Sequence, residues 1–379
     1  MQHQLYESTE SNIRYGIAID IGTTNICGAL IQYNSDSSLH NYIIVKEHSL
    51  KNGQCKFGSD IVSRMTYYQE SIENLDNLNA LLISDLNRLI NILIKDHLNK
   101  DLIKSLTISG NTVMTHIFKY SNFKPNYGLN YPYSLFIMPN LGGFIGGDIT
   151  AGILSLNLIN STKKSLLIDI GTNGEVALWN GNKLYFSSAA AGPAFEGLFQ
   201  SIPGSEVVNI ISKLLKKHFI DKTGYIISQE KAKAINPYDN EIINLVSDTK
   251  DTNKFYTMNQ YITQDHIRAI QLAIAAIQTC ISILLKDGNL KKEQIDVIYV
   301  AGAFGNNLDI ENAQHISLIP NINPKKISLV GNTSLQGSIK ALIDSGAVDE
   351  IHRIIGISTH IELTNQLNFQ REFINSINF

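Results

Sequence analysis

Two stretches decide the reading of this chain: Ala18-Ile-Asp-Ile-Gly-Thr-Thr-Asn25 and Leu167-Ile-Asp-Ile-Gly-Thr-Asn-Gly174. Each begins in an apolar run with strand character, ends that run with an acid, and turns at once through Gly and Thr. An apolar segment follows each, Ile26 to Gln32 and Glu175 to Trp179. Strand, tight glycine turn and strand spell a β-hairpin. The two copies lie 149 residues apart in a 379-residue chain. That period is too long for a solenoid repeat and suits a duplicated domain.

Working outward, the apolar spacing of Leu78, Leu81, Leu82, Leu86, Leu89 and Ile90 predicts a helix within 75–98. Ser105 to Gly110 reads as a strand entering a turn, and 111–118 as a helix start. His116 is expected in the core. The Gly-rich run 141–148 leads into a short helix over 149–156. A long helix is expected over 263–285; its apolar part is interrupted by Gln271 and Gln278, so it reads as a core helix and not a membrane span. Val297 to Asn306 and Ile327 to Thr333 are two more strand-to-glycine turns. Residues 120–133 look like a linker, and 221–262 like an insertion.

The fold expected is α/β: two lobes related by duplication, each a mixed sheet flanked by helices, with a ligand cleft between them. Their bounds are a flexible arm at 1–13, a first lobe at 14–164 and a second at 165–379. The C-terminus is left free to pack on either lobe. Lys+Arg number 31 and Asp+Glu 34, for a net charge of −3, which does not favour a nucleic-acid partner. Residues 1–14 show no apolar leader core, and three scattered cysteines (Cys27, Cys55 and Cys280) offer no disulfide framework or zinc site. A cytoplasmic location away from membranes is expected.

The repeated turn has a plain chemical use. Gly22 and Gly171 are expected at positive φ, leaving room for a phosphate. The amides of 22–25 and 171–174 (Gly22, Thr23, Thr24, Asn25; Gly171, Thr172, Asn173, Gly174) then form anion-binding nests, and the threonine hydroxyls add donors. Asp20 and Asp169 would repel bare phosphate, so a Mg²⁺ ion is expected at these two carboxylates, with a polyphosphate as the ligand. The other reading of each acid is a turn cap. Asp148 reads either as a helix N-cap or as the base that orients attacking water. Glu175 stands either at the metal's water shell or as an exposed strand start. Gly192 and Glu196, in Gly192-Pro-Ala-Phe-Glu196, are candidates for the ribose. Gly302, Ala303, Phe304, Gly305 and Asn306 are candidates for the adenosine. No Walker A or G-x-G-x-x-G pattern occurs.

The order of two phosphate loops and an adenosine loop resembles the actin, sugar-kinase and heat-shock-chaperone ATPase superfamily. The wider phrases NGQCKFGSDIVSRM (52–65), ISGNTVMTHIF (108–118), GGFIGGDITAGIL (142–154), AAGPAFEG (190–197), VAGAFGNNLDIENA (300–313) and GNTSLQG (331–337) resemble the reductive activators of corrinoid proteins. The resemblance runs from about Arg14 to the end of the chain. It implies two actin-like, ribonuclease H-like lobes with a nucleotide cleft between them that binds ATP, in an ATPase that drives reduction of an inactive Co(II) corrinoid to Co(I) in a partner protein, and it favours Asp148 as the base. The usual family members add a [2Fe–2S] domain. Here only nineteen residues without cysteine precede Asp20, so no iron–sulfur cluster is expected in this chain and a separate electron donor is implied. A homodimer is left open. Two other outcomes stay open as well: a scaffold or sensor that binds ATP without turnover, and a small-molecule kinase of the same fold.

Overall fold

The computed structural model describes residues 13–34, 42–58, 60–95, 102–120, 128–129, 134–142, 145–171, 173–195, 202–227, 254–257, 260–302, 304 and 307–379. The chain forms two compact units, one from 1–156 with Thr333–Gly356, the other from Asn157–Asn332 with Ile357–Phe379. This differs from the expected boundary at 164/165 in two ways: the units part at 156/157, and residues 333–356 pack with the first unit, not the second. The C-terminus joins the second unit, where the Phe379 amide donates to the Lys222 carbonyl at 2.9 Å. Most of the linker-like stretch 120–133 and most of 221–262 lie outside the described residues.

The first unit holds strands β1 (Ile13–Ile21), β2 (Asn25–Asn34), β3 (Tyr42–Lys51), β4 (Ile103–Gly110) and β5 (Ser134–Ile137) in the order β3-β2-β1-β4-β5. β1 runs antiparallel to β2 and parallel to β4. The second unit holds β6 (Ser165–Ile170), β7 (Gly174–Trp179), β8 (Leu184–Ala189), β11 (Val297–Gly302), β12 (Ile327–Gly331) and β13 (Ser358–His360) in the order β12-β11-β6-β7-β8-β13. A small hairpin, β9 (Lys254–Thr257) and β10 (Gln260–Thr263), stands apart from both sheets. Matching β1 to β6, β2 to β7, β3 to β8, β4 to β11 and β5 to β12 reproduces every neighbour. The parallel and antiparallel senses match too. The repeat read in two hairpins is thus a repeat of whole sheets.

In the first unit the helices are α1 (Ile61–Glu70), α2 (Ile72–Ile94), α3 (Thr112–Lys119), α4 (Gly147–Ser155), α8 (Thr333–Ile343) and α9 (Ala347–Ile357). Strand alternation sorts β1 onto two faces. Ile17, Ile19 and Ile21 pack with Leu78, Leu82, Leu86 and Leu89 of α2. Ala18 faces the other way, with Leu335 and Ile339 of α8. That second face is built of small residues: a Cβ on Gly16 would meet Leu342 Cδ2 at 2.8 Å. α8 therefore lies close on the sheet, and Asp20 is the next residue along the same face.

In the second unit α5 (Gly204–Lys216), α6 (Gln264–Asp287), α7 (Ile310–His315) and α10 (Phe369–Asn375) surround the sheet. Leu166, Ile168 and Ile170 join the core with Ile270, Ile274 and Ile277 of α6, which leaves Asp169 on the opposite face. Among the described residues α6 is the one helix long and apolar enough to cross a membrane, and 72% of its most apolar window is buried in the protein. Cys280 on α6 is fully buried, and burial pushes its thiol far above the ordinary range. His116, expected in the core, instead sits on the exposed side of α3, tilted against the Tyr68 ring.

Candidate active site

The β1–β2 and β6–β7 hairpins both close through three residues, 22–24 and 171–173. Gly22 and Gly171 are not at positive φ, which corrects the expectation. Gly22 is needed for space: a Cβ there would meet the Asn25 carbonyl oxygen at 2.5 Å. The glycine of the third motif carries the left-handed conformation instead. Gly302 has φ 95°, and a Cβ on it would collide with the Asp169 carboxylate.

In the first unit the Asp20 Oδ1 accepts a hydrogen bond from Ser334 Oγ at 2.7 Å. Ser334 is buried and shares a 2.7 Å hydrogen bond with Ser109 Oγ, which in turn accepts from Ser338 Oγ at 2.8 Å. These three hydroxyls form a buried cluster that ends on Asp20, with the Ile19 carbonyl within 3.3 Å of Ser109 Oγ as a further acceptor. The cluster fixes where the Asp20 carboxyl points.

Asp148 is the second residue of α4. It is not the N-cap, which is Gly146. Its Oδ1 accepts from the Ile149 amide at 2.8 Å. Burial first, and the Asp20 charge second, push its carboxyl up to about 7. A carboxyl poised near neutral pH beside a second acid suits a group that takes up and releases a proton.

The helix enters this crowded spot only because of its glycines. A Cβ on Gly146 would run into Asn111 and Gly110, and one on Gly337 into the Ala151 backbone. Asn111 caps α3 by accepting from Met114 N, and its Nδ2 donates to Thr23 Oγ1 at 3.0 Å. Three helix N-termini therefore meet around Asp20 and Thr23: α3 through Asn111, α4 through Asp148 and α8 through Ser334. Their dipoles favour negative charge on a ligand. With the Thr23 oxygen accepting from Asn111, its own proton is left to donate elsewhere.

In the second unit Asp169 stands opposite Glu175 in the β6–β7 ladder, and Ala301 opposite Asp169 in the β11–β6 ladder. Glu175 is buried, so the exposed-start reading fails. The Gly171 amide donates to the Asn173 carbonyl at 3.0 Å, and Gly174 begins β7. Gly192 turns with φ 69°. The Phe304 ring is buried edge-on to Phe195, at 5.5 Å between centroids, so it serves the core, and only its backbone is available to a ligand. Thr172, Glu196, Ala303, Gly305 and Asn306 lie outside the described residues.

No group of three or more His, Cys, Asp or Glu gathers among the described residues. Mg²⁺ does not need one: it keeps several waters and binds through one or two carboxylates plus phosphates. Asp20, beside helix N-termini that attract phosphate, fits such an ion. The sequence alone gives no role to Ser109, Ser334, Ser338, Asn111, Asn52 or Arg64. All but Ser338, the last member of the serine cluster, lie inside the family-like phrases, which are the one signal available.

Comparison with known proteins agrees with this geometry. The model of the C-terminal domain of RACo, the ASKHA domain, matches residues 163–200 and 198–379, and the RACo middle region matches 15–135. The chain belongs to the RACo family. It is 30% identical to the corrinoid activation enzyme RamQ of Eubacterium limosum over 422 aligned positions, covering 95% of this chain and 69% of that protein. It is 22% identical to a [Co(II) methylated amine-specific corrinoid protein] reductase of Methanosarcina barkeri, covering 90% of this chain and 72% of that one. A solved reductive activator for a corrinoid, iron–sulfur protein superimposes with TM-score 0.80 at 29% identity, covering 98% of this chain and 67% of that chain. As a RACo-family member the chain has the actin-like ATPase fold expected from its repeat.

Proposed function

We propose that this chain is an ATP-driven activator of a corrinoid protein. It hydrolyses ATP and so drives the one-electron reduction of an inactive Co(II) corrinoid to Co(I) in its partner. The observation that carries this is Asp148, in the first turn of α4 and raised to about 7 by burial and by the Asp20 charge, in a RACo-family chain.

In the proposed reaction the loop 22–25 and the loop 171–174 bind the phosphates through their amides, with the Thr23 hydroxyl as a further donor. Asp20 in the first unit and Asp169 in the second would be the residues to hold Mg²⁺, with Glu175 facing Asp169 across the β6–β7 ladder. Bound Mg²⁺ supplies charge neutralisation of the phosphates. Asp148 orients water. The water oxygen bonds to the γ-phosphorus, the bond to the β,γ-bridging oxygen breaks, ADP leaves, and the water's proton passes to Asp148. A base with a pKa near the working pH suits that transfer. Gly192, Glu196 and the 302–306 turn are proposed to hold the nucleoside.

The ATP-bound and ADP-bound forms differ in affinity for the corrinoid partner. That difference is how hydrolysis feeds an unfavourable reduction. One electron reaches cobalt from a separate redox-active donor, which is itself oxidised by one electron. Three free, scattered cysteines fit a reducing, cytoplasmic setting and offer no cluster ligand set.

The test is direct. Mix the protein with a Co(II) corrinoid protein, a low-potential one-electron reductant and Mg·ATP, and follow cobalt by absorbance and phosphate by release. Co(I) is expected with ATP and not without it, and Asp148→Asn is expected to bind ATP but release no phosphate. No hydrolysis with or without the partner overturns the proposal.

A further inference from the structure

Segment 52–65 packs behind the first phosphate loop and accounts for all three of its carbonyls. The Gly22 oxygen accepts from Asn52 Nδ2 at 2.9 Å, and the Thr24 oxygen accepts from the Asn52 amide at 2.9 Å. The Thr23 oxygen accepts from Arg64 Nη2. A trans peptide places the next N–H opposite its C=O. Carbonyls turned toward Asn52 and Arg64 therefore turn the amides of Thr23, Thr24 and Asn25 to the other side.

Arg64 is an unusual residue to find there. It is fully buried. Its remaining donors go to the same segment: Nε to the Gly58 carbonyl at 2.9 Å, Nη1 to Gln54 Oε1 at 3.3 Å and Met114 Sδ at 3.3 Å, Nη2 also to Cys55 Sγ at 3.4 Å. Among the described residues no carboxylate reaches ion-pair distance of it. The nearest acid, Asp60, is occupied capping α1, where it accepts from Ser63 N at 2.9 Å. An arginine stays protonated even where burial works against its charge. A buried cation is costly unless it is well hydrogen-bonded and compensated. Here its hydrogen bonds are satisfied, Cys55 and Asp60 favour its charge against burial, and the loop it holds is one that attracts anions.

We propose that Arg64 and Asn52 are the positioning residues of the first phosphate loop. They hold its carbonyls back so that its amides form an anion-binding nest, and the Arg64 charge favours the phosphates on the loop's far side. The proposal rests on the reading of loop 22–25 as an ATP phosphate site. It differs from a merely structural role in what it says about ligands. Loss of the charge must weaken a ligand in proportion to its phosphates and leave the nucleoside end untouched.

The experiment is calorimetric titration of ATP and of adenosine, with Mg²⁺, into wild type, Arg64→Met, Arg64→Lys and Asn52→Ala. Arg64→Met is expected to weaken ATP by about tenfold or more and to leave adenosine unchanged. Arg64→Lys is expected to recover part of the loss, because it restores the charge without the planar fork. Asn52→Ala, which keeps the charge and the backbone donor to Thr24 and frees the Gly22 carbonyl, is expected to weaken ATP less than Arg64→Met, again without touching adenosine; it decides the matter if Arg64→Met does not fold. ATP binding unchanged in these variants, or ATP and adenosine weakened by the same factor, overturns the proposal. Failure of the wild type itself to bind ATP removes the ATP reading, and this inference with it.

Discussion

Asp148→Asn should stabilise the protein, and more so as pH rises. In the folded chain the Asp148 carboxyl is raised from 3.8 to about 7, by burial first and by the Asp20 charge second. A group whose folded pKa is raised binds its proton more tightly in the native state. Its contribution to stability is full below the unfolded pKa and is lost as pH rises through the folded one. Each pH unit inside that window removes about 1.4 kcal/mol. From pH 5 to pH 8 the wild type should therefore lose about 2 kcal/mol from this group, after allowance for its partial exposure. Asparagine fills the same space and never ionises, so it escapes the loss. For a unit of this size the gap amounts to about 5 °C in melting temperature. The assay is thermal unfolding by circular dichroism without nucleotide or Mg²⁺, at pH 5, 6, 7 and 8, for wild type and Asp148→Asn. In an Asp20→Asn background the gain from Asp148→Asn should shrink, since one of the two causes is gone. A gap that stays constant with pH, or one that narrows toward pH 8, refutes the reasoning.

Two other perturbations follow from the packing around the same carboxylate. Ser334→Ala removes the donor to Asp20 and breaks the serine chain inside a buried site, so chemical denaturation should show a loss of about 1 to 3 kcal/mol. Gly337→Ala places a Cβ against the Ala151 backbone where α8 crosses α4. Overpacking of that kind costs about 1 to 3 kcal/mol or more, while the exposed Gly356→Ala, with nothing within 4 Å of its Cβ, should be close to neutral in the same measurement.

Much of this architecture was legible in the chain. The two acid-tipped hairpins announced themselves because a strand ending in Asp-Ile-Gly-Thr is a local pattern, and the copies needed no long-range information. The helices over 72–94 and 264–287 were legible from apolar period alone. What was not legible depended on contacts between distant residues. Nothing in Thr333–Ile343 says which sheet it covers; the small face of Gly16, Ala18 and Asp20 decides that, more than three hundred residues away. The serine chain joins Ser109 to Ser334 and Ser338 across a similar gap, so spacing could not reveal it. Nothing in the sequence around Arg64 sets it apart from other cations, and only its full burial gives it meaning. Gly22 was read for the right reason of space and the wrong one of φ, because a glycine letter does not say which of its two freedoms a turn uses.

The measurement that bears most directly on the central claim is calorimetric titration of Mg·ATP into wild type, Asp20→Ala and Asp169→Ala. One binding event per chain is expected in the wild type, with affinity sharply reduced in both variants, because each copy of the repeated hairpin is needed. Absence of binding in the wild type, or binding that survives both substitutions unchanged, contradicts the account.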